Sequence, residues 1–209
     1  MPLSTVLGAQ SLIKPGVCTT ATRPSSPYTG QMIYDTTVSQ TLVWNGSAWV
    51  VQTGGLVRVG GGSLSGAATT FSSVFSSTYD AYKIVLSNCT LTANAYAYMT
   101  LGSTTTGYVN YNPAVSTGGT YTSAFSSQGT TFWAPFFIQS TDYGATVDII
   151  NPYLAKRTYI TGGFGIDTTY GGMTHSGSLN NTTQYTAFTL TQSSGTITGT
   201  VSVYGYTLS

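Results

Sequence analysis

Very few side chains in this 209-residue chain can transfer protons or bind a metal ion. There is no Glu, and the five acidic residues are Asp35, Asp80, Asp142, Asp148 and Asp167. Glycoside hydrolysis needs two carboxylates at a set separation, and the spacing of these five residues indicates no such pair. We interpret Asp35 and Asp80 as turn or strand-end residues whose carboxylates accept hydrogen bonds from backbone N–H groups.

The single histidine, His175, limits the remaining chemistry. One histidine excludes a multi-histidine metal site, and a Ser-His-Asp triad would have to use it. No G-x-S-x-G segment marks an activated serine, so we interpret His175 as an exposed loop residue within THSGS, residues 174–178. The glycine run 60–62 lacks the features of a phosphate-binding loop and is interpreted as a linker. We therefore expect no catalytic residues, no cofactor and no metal.

Two cysteines, Cys18 and Cys89, lie in different sequence contexts. A disulfide between them stays open as an alternative, but we prefer two small and mostly buried thiols in a protein made in the cytoplasm. Residues 1–16 have no basic segment before their short apolar stretch, so we expect no secretory signal.

The chain is unusually poor in charge. Charged residues make up 5% of it and the formal net charge is +1, whereas ordinary soluble proteins contain roughly 25% charged residues. Nucleic acids and anionic membrane surfaces are recognised by clustered Lys and Arg, which this sequence lacks. No run approaches the roughly 18 to 20 apolar residues of a membrane span. We expect neither a nucleic-acid partner nor membrane insertion.

The elements that must position these residues are predicted to be strands. The 16 Tyr and 25 Gly, together with many Thr and Ser, favour strands and tight turns over helices. We predict an all-β chain with a small N-terminal β-meander module followed by a jelly-roll-like antiparallel β-sandwich. The predicted regions are an extended attachment arm over 1–21, the meander over 22–54 and the sandwich over 55–209.

Residues 22–54 contain the densest set of turn and strand signals. A proline pair in RPSSP predicts an extended lead-in. Strands are predicted at 31–35, 41–44 and 47–51. In the first of them Met32 and Tyr34 share one face, whereas Ile33 and Asp35 share the other.

The Asn45-Gly46 pair predicts a two-residue hairpin turn with positive φ at both positions. Such a turn places Trp44 near Trp49, where large rings can cover a small sheet. A module of this size cannot bury enough apolar surface to be stable alone. We therefore predict that it needs a partner and that Tyr34, Trp44 and Trp49 are candidate contacts between copies of the chain.

These residues also carry a resemblance. The string RPSSPYTGQMIYDTTVSQTLVWNGSAWV, residues 23–50, resembles a module of tail-fibre and related virion proteins of tailed bacteriophages. That resemblance implies a trimeric module that joins an attachment segment to a C-terminal β domain. The strings FSSVFSSTYDAYKIVLSN and GTVSVYGYTLS are similar, more loosely, to C-terminal domains of phage virion proteins. The implied location is the virion, assembled in the host cytoplasm, with residues 1–21 docked on other virion proteins.

From residue 56 onward, short bursts of alternating hydrophobicity between turn residues predict the sandwich. The predicted strands are 56–59, 82–87, 95–101, 132–139, 146–150, 158–161, 185–191 and 197–208. Pro135 predicts a kink or bulge in the strand that contains it. In the strand 82–87, Tyr82, Ile84 and Leu86 are predicted to share one face.

The remaining function that the residues favour is a binding surface. Tyrosine presents a large rigid face that can stack on a sugar ring or pack across subunits. The segment 102–131 exceeds the usual loop length and is predicted to be a functional loop. The candidate receptor contacts, for a partner such as a host surface glycan, are Tyr108, Tyr111, Tyr121, Tyr170 and His175.

Three functions are compatible with the sequence. A non-enzymatic tail-fibre or tail-tip adhesion protein that contributes to host attachment is favoured. A capsid decoration or head-fibre protein is the alternative, because the arm could dock on a capsid as well as on a tail. An enzyme such as a polysaccharide depolymerase is disfavoured because acids are so few.

Overall fold

The computed structural model describes residues 16–51, 55–93, 95–115, 121–138, 143–165 and 172–207. Over these residues the chain forms strands and one 3-10 helix, Thr20–Thr22. The protein is therefore nearly all β, as predicted. It divides into two compact units, Met1–Gly54 and Gly55–Ser209.

The first unit contains one four-stranded sheet in the order β1-β2-β3-β4. Its strands are β1 (Gly16–Cys18), β2 (Met32–Asp35), β3 (Gln40–Trp44) and β4 (Trp49–Val51). Strands β2 to β4 form the predicted antiparallel meander. Strand β1 pairs with β2 in parallel, so it belongs to the sheet and not to the predicted arm. Residues 1–15 lie outside the described residues.

Side chains alternate across this sheet as the sequence predicts. Ile33 and Leu42 are register partners and are both buried, whereas Met32 and Tyr34 are exposed on the opposite face. Asp35 continues the buried side of β2. The sheet therefore has one covered face and one apolar face open to solvent.

An ion pair with a buried carboxylate holds the lead-in against the covered face. The carboxylate of Asp35 is fully buried and accepts hydrogen bonds from Arg23 Nε at 2.7 Å, Thr37 N at 2.8 Å and Thr20 Oγ1 at 3.0 Å. Burial alone would raise the pKa of Asp35, but these hydrogen bonds and the Arg23 charge hold it below its ordinary value. The strand-end interpretation of Asp35 is confirmed, and the arginine partner is new.

The turn between β3 and β4 differs from the predicted one. It spans residues 45–48, and only Gly46 within it has a positive φ, of 102°. The Oδ1 atom of Asn45 accepts hydrogen bonds from the backbone N–H of Ser47 at 2.9 Å and of Ala48 at 2.8 Å. Because this side chain satisfies the donors of a longer turn, the two-residue prediction is wrong. The rings of Trp44 and Trp49 still meet edge to face, with centroids 5.6 Å apart.

The second unit is an antiparallel, sandwich-like arrangement of two sheets. Its strands are β5 (Leu56–Gly66), β6 (Ala68–Phe71), β7 (Ala81–Leu91), β8 (Ala95–Leu101), β9 (Tyr108–Val115), β10 (Tyr121–Thr130), β11 (Trp133–Ile138), β12 (Tyr143–Ile150), β13 (Thr158–Gly165), β14 (Gly172–Leu179), β15 (Phe188–Gln192) and β16 (Ile197–Tyr206). One sheet has eight strands in the order β10-β9-β14-β13-β12-β7-β16-β5, and the other has four in the order β11-β8-β15-β6.

The pairing of eight of these strands is nested. The first strand of the unit pairs with the last, β5 with β16, and β6 pairs with β15. Further inside, β7 pairs with β12 and β8 with β11. The antiparallel pairs β9–β10 and β13–β14 extend the larger sheet beyond β12.

Aromatic side chains fill the space between the two sheets. Trp133 of β11 is fully buried against Tyr108 of β9, with ring centroids 5.1 Å apart. Its indole Nε1 donates a hydrogen bond to the carbonyl oxygen of Ser178 on β14 at 3.2 Å. Phe188 of β15 stacks on Phe71 of β6 at 5.1 Å. Strand β11 thus packs under the extension of the larger sheet.

Several sequence expectations need correction in this unit. The predicted loop 102–131 contains strands β9 and β10, and the predicted linker 60–62 lies inside β5. The predicted irregularity near Pro135 is confirmed, because the register of β11 against β8 shifts between Trp133 and Phe136. The predicted face of Tyr82, Ile84 and Leu86 is also confirmed, since all three are buried.

Replacing Gly46 with valine should destabilise the first unit. A Cβ at this position would lie 3.3 Å from Thr29 Oγ1, and its φ of 102° is one that β-branched residues rarely adopt. We expect a loss of about 1–3 kcal/mol, read as an earlier thermal transition in tryptophan fluorescence. Gly16→Val is the matched control, because a Cβ there meets Ile33 at an ordinary 3.9 Å. Equal melting temperatures for the two variants would contradict the turn geometry.

Candidate functional site

The outer face of the eight-stranded sheet presents polar and aromatic side chains. On β12 the alternate residues Ala145, Val147 and Ile149 are buried, so Thr146 and Asp148 point away from the core. The register partners of these outward residues on β13, β14 and β9 lie on the same face. A continuous surface therefore crosses these strands.

One ion pair lies near the middle of this face. Lys83 Nζ lies 3.0 Å from Asp148 Oδ1, and Tyr206 donates a hydrogen bond to the same oxygen at 2.5 Å. Burial would lower the pKa of Lys83, but the hydrogen bond and the charge of Asp148 outweigh it and raise that pKa. Because the two charges compensate each other, this part of the face is close to neutral.

Two tyrosines and three hydroxyl side chains form a patch beside this ion pair. Thr161, Ser176 and Tyr111 are register partners on β13, β14 and β9. Tyr159 and Ser178 are partners in the adjacent row. Tyr111 is 49% exposed and Tyr159 is 45% exposed. We call these five residues the tyrosine-hydroxyl patch.

The side chains of the tyrosine-hydroxyl patch are suited to hydrogen bonding and ring stacking. Each Ser or Thr hydroxyl can donate one hydrogen bond and accept two, and each tyrosine offers a flat ring with a polar tip. None of the five residues is a carboxylate or an imidazole. The patch thus combines two exposed rings with neutral hydrogen-bonding hydroxyls.

The predicted receptor contacts that the structure describes lie in different environments. Tyr111 lies in the patch, whereas Tyr108 is fully buried and has no surface to offer a receptor. The hydroxyl of Tyr108 accepts a hydrogen bond from Leu101 N at 2.8 Å, and burial raises its pKa to about 12. Tyr121 begins β10, and its side chain lies outside what the structure describes. Tyr170 also lies outside the described residues.

His175 is not the exposed loop residue that the sequence suggested. It lies on β14 with its side chain buried, and its Nδ1 is hydrogen-bonded to Oδ1 of Asn112 on β9. Its Nε2 has no hydrogen-bond partner among the described residues. Burial lowers the pKa of His175 to about 4, so the imidazole is neutral at pH 7.

The three candidate oligomer contacts are not brought together. Trp44 and Trp49 are register partners on the face that carries Leu42, and both are half-buried. Tyr34 lies on the opposite face with Met32, where it is 37% exposed. Most of the exposed apolar surface of this sheet is therefore on the Tyr34 side, whereas Val51 is exposed on the other face.

Tyr159 is the tyrosine of the patch that sequence reasoning missed, and the three hydroxyl residues were missed with it. The strand 158–161 was predicted, and its alternation already separates Tyr159 and Thr161 from Thr158 and Ile160. Its place in the patch depends on the pairing of β13 with β14 and of β14 with β9, which puts Ser178 and Tyr111 on the neighbouring strands. The partnership of Tyr159 with Ser178 is a product of register, which no local pattern encodes.

Neither cysteine forms a disulfide. Cys89 is buried, which raises the pKa of its thiol to about 11, and Cys18 is half-buried. Within the described ranges, His, Cys, Asp and Glu side chains form no group of three or more able to hold a metal ion. The same part of the chain contains no helix long and apolar enough to cross a membrane.

Comparisons of the chain with protein-family models, with curated proteins and with solved structures gave no match. The function is therefore inferred from the fold and from the outer face of the larger sheet.

The stability of the second unit should fall as the pH is lowered from 6.5 to about 4. In this window the unfolded chain binds a proton at His175 that the folded chain, with its pKa of about 4, does not bind. The unfolding free energy should decrease by up to about 1.4 kcal/mol per pH unit. Urea unfolding at several pH values measures this slope. In the His175→Gln variant the slope should largely vanish, and an unchanged slope would contradict the assignment.

Proposed function

We propose that this chain is a non-enzymatic structural protein of a tailed-bacteriophage virion, acting as a tail-fibre or tail-tip adhesion protein in host attachment. The observation that carries the proposal is the nested pairing of β5 to β8 with β11, β12, β15 and β16. We infer that these eight strands form a jelly roll into which the pairs β9–β10 and β13–β14 are inserted. Jelly rolls are common in viral capsid and lectin domains.

The first unit supports the proposal through the residues of its phage-like motif. Arg23 of the RP element and Asp35 of the YDT element form the ion pair with the buried carboxylate. Asn45 of WNGS accepts the hydrogen bonds of the turn, and Trp44 contacts Trp49. Each of these motif residues has a structural role within one small sheet. The motif is thus consistent with a transferable module that joins an attachment arm to a larger domain.

Attachment to other virion proteins is proposed for residues 1–21, of which β1 forms the edge of the sheet beside β2. The open face of that sheet carries Val17, Met32, Tyr34 and Val50, all exposed. Apolar surface of this kind is more often covered than left in water. We therefore keep the homotrimer as a proposal and transfer its contact from the tryptophans to the Tyr34 face.

The ionisable side chains also fit a structural role. The two acids with described ion pairs, Asp35 and Asp148, are bound to Arg23 and Lys83. His175 is buried and hydrogen-bonded to Asn112. Groups engaged in this way hold strands together, and such a use favours a non-enzymatic protein over a depolymerase.

In light scattering, the purified protein should have three times the mass of the chain at micromolar concentration. Tyr34→Lys places a charge on the open apolar face and should shift the mass toward that of the monomer. Gln40→Lys is the control, because Gln40 is exposed on the opposite face of the same sheet. A monomeric wild-type protein would overturn the trimer, as would equal dissociation of both variants.

In an adsorption assay, excess purified protein should compete with phage and reduce attachment to host cells. Quantitative mass spectrometry of purified particles should find only a few trimers per virion, because tail fibres and tail tips are present in low copy. Hundreds of copies on the capsid lattice, with no effect on adsorption, would replace this proposal with the decoration protein.

A further inference from the structure

We propose that the tyrosine-hydroxyl patch binds an uncharged saccharide. This inference rests on the proposed function, since it assigns the adhesive contact to a particular surface and a particular class of ligand. Four of the five patch residues are exposed on a regular sheet rather than on a loop, and the fifth, Ser178, is half-buried. The site is thus preformed by three neighbouring strands.

The two tyrosines are placed to contact a short oligosaccharide. Tyr159 and Tyr111 are separated by two strand spacings and by one row of the sheet. With strands about 4.8 Å apart and a rise of about 3.4 Å per residue, their Cα atoms are roughly 12 Å apart. Each ring can stack on the apolar C–H face of a pyranose. The separation suits a chain of a few sugar units with a ring contact near each end.

The hydroxyls of the patch lie between the two rings. Thr161 and Ser176 share a row with Tyr111, and Ser178 shares a row with Tyr159. Sugar hydroxyls both donate and accept hydrogen bonds, and so do the hydroxyls of Ser and Thr. A saccharide that bridges the tyrosines would therefore lie over partners of matching chemistry.

The charges in the row of Thr161 are compensated and offer no partner to an ionic ligand. Asp148 is the register partner of Thr161, and it is the acidic residue nearest the patch along that row. Both of its oxygens are engaged, Oδ1 by Lys83 and Tyr206 and Oδ2 by Lys83. Along this row a uronate or phosphate would find no unpaired cation, and a cationic ligand would find no free carboxylate. Arg157, two residues before Tyr159, is exposed beyond the other row and donates a hydrogen bond to Asn180 Oδ1. A neutral sugar carries no charge that would lose its hydration without gaining a partner in this row.

A second copy of the chain is a poorer occupant of this surface. Ile150, the exposed register partner of Tyr159, adds apolar area on one side of the patch, but hydroxyls separate the two exposed rings, unlike the apolar cores of protein interfaces. The open face of the first unit, with Val17, Met32 and Val50, is the better surface for self-association. Saccharide binding and oligomerisation are thus assigned to different units.

Binding can be tested with the full-length protein on an array of neutral and uronic-acid-containing bacterial polysaccharides. We expect binding to neutral polysaccharides that changes little between low and moderate salt. Tyr159→Ala and Tyr111→Ala should each weaken it about tenfold, because each removes a stacking ring. Thr161→Val, which keeps the shape but loses the hydroxyl, should weaken it by a smaller factor.

Tyr96→Ala is the matched control. Tyr96 is 42% exposed, close to the 45% of Tyr159, but it lies on β8 of the other sheet. Its removal should leave binding unchanged, and circular dichroism should show the same fold for all variants. The inference is overturned if no neutral polysaccharide binds, if acidic polymers bind preferentially and with strong salt dependence, or if Tyr96→Ala weakens binding as much as Tyr159→Ala. It is also overturned if Tyr159→Ala changes the oligomeric mass, since the patch would then be an interface between copies.

The adsorption assay separates this inference from the proposed function. If the wild type and both patch variants block phage adsorption equally, the adhesion function stands and the patch assignment is wrong. If the wild type binds neutral polysaccharide through the patch but does not block adsorption, the saccharide site stands and the adhesion function is wrong.

Discussion

Pairing between the first and last strands of the sandwich is the constraint on which the rest of the second unit depends. Strand β16 lies between β5 and β7 and pairs with both along most of its length. The approach is so close that a Cβ on Gly199 would lie 2.8 Å from Cys89 Sγ, at a φ of 147°. Glycine is therefore required where β16 passes β7. Because such contacts join residues far apart in sequence, their loop-closure entropy must be overcome before the core can form.

Alternation of apolar residues predicted the parts of the fold that are covered on one face. It identified β2, β7 and β8, and in β2 and β7 it grouped the residues that share a face, as the buried Ile84 and Leu86 illustrate. The alternation of apolar residues did not identify strands whose inward-facing side chains are polar. On β9 and β14 the buried residues include Asn110 and His175, and Asn110 donates a hydrogen bond to Thr130 Oγ1 at 2.8 Å. Polar groups that form hydrogen bonds across strands cannot be recognised from one strand, so the sequence predicts a loop over 102–131.

The candidate site was predictable to a smaller degree than the fold. Tyr111 could be named because a tyrosine in a polar segment is conspicuous, but Tyr108, three residues earlier in the same segment, is buried. Which tyrosine faces outward depends on strand register against β14 and on the packing of Trp133 below. The ion pair of Arg23 with Asp35 could not be predicted from the sequence either. The sequence shows the motif that contains both residues, but only the folded sheet shows that their side chains form an ion pair.

The two ends of the sandwich lie side by side. Leu56 is the register partner of Tyr206, and Thr207 N donates a hydrogen bond to Gly55 O at 3.2 Å. A domain whose chain enters and leaves at one corner can be inserted into a host loop with little distortion of either partner. Through recombination, the sandwich could therefore be exchanged between unrelated proteins as a cassette. Its surface could then diversify while the junction stayed unchanged.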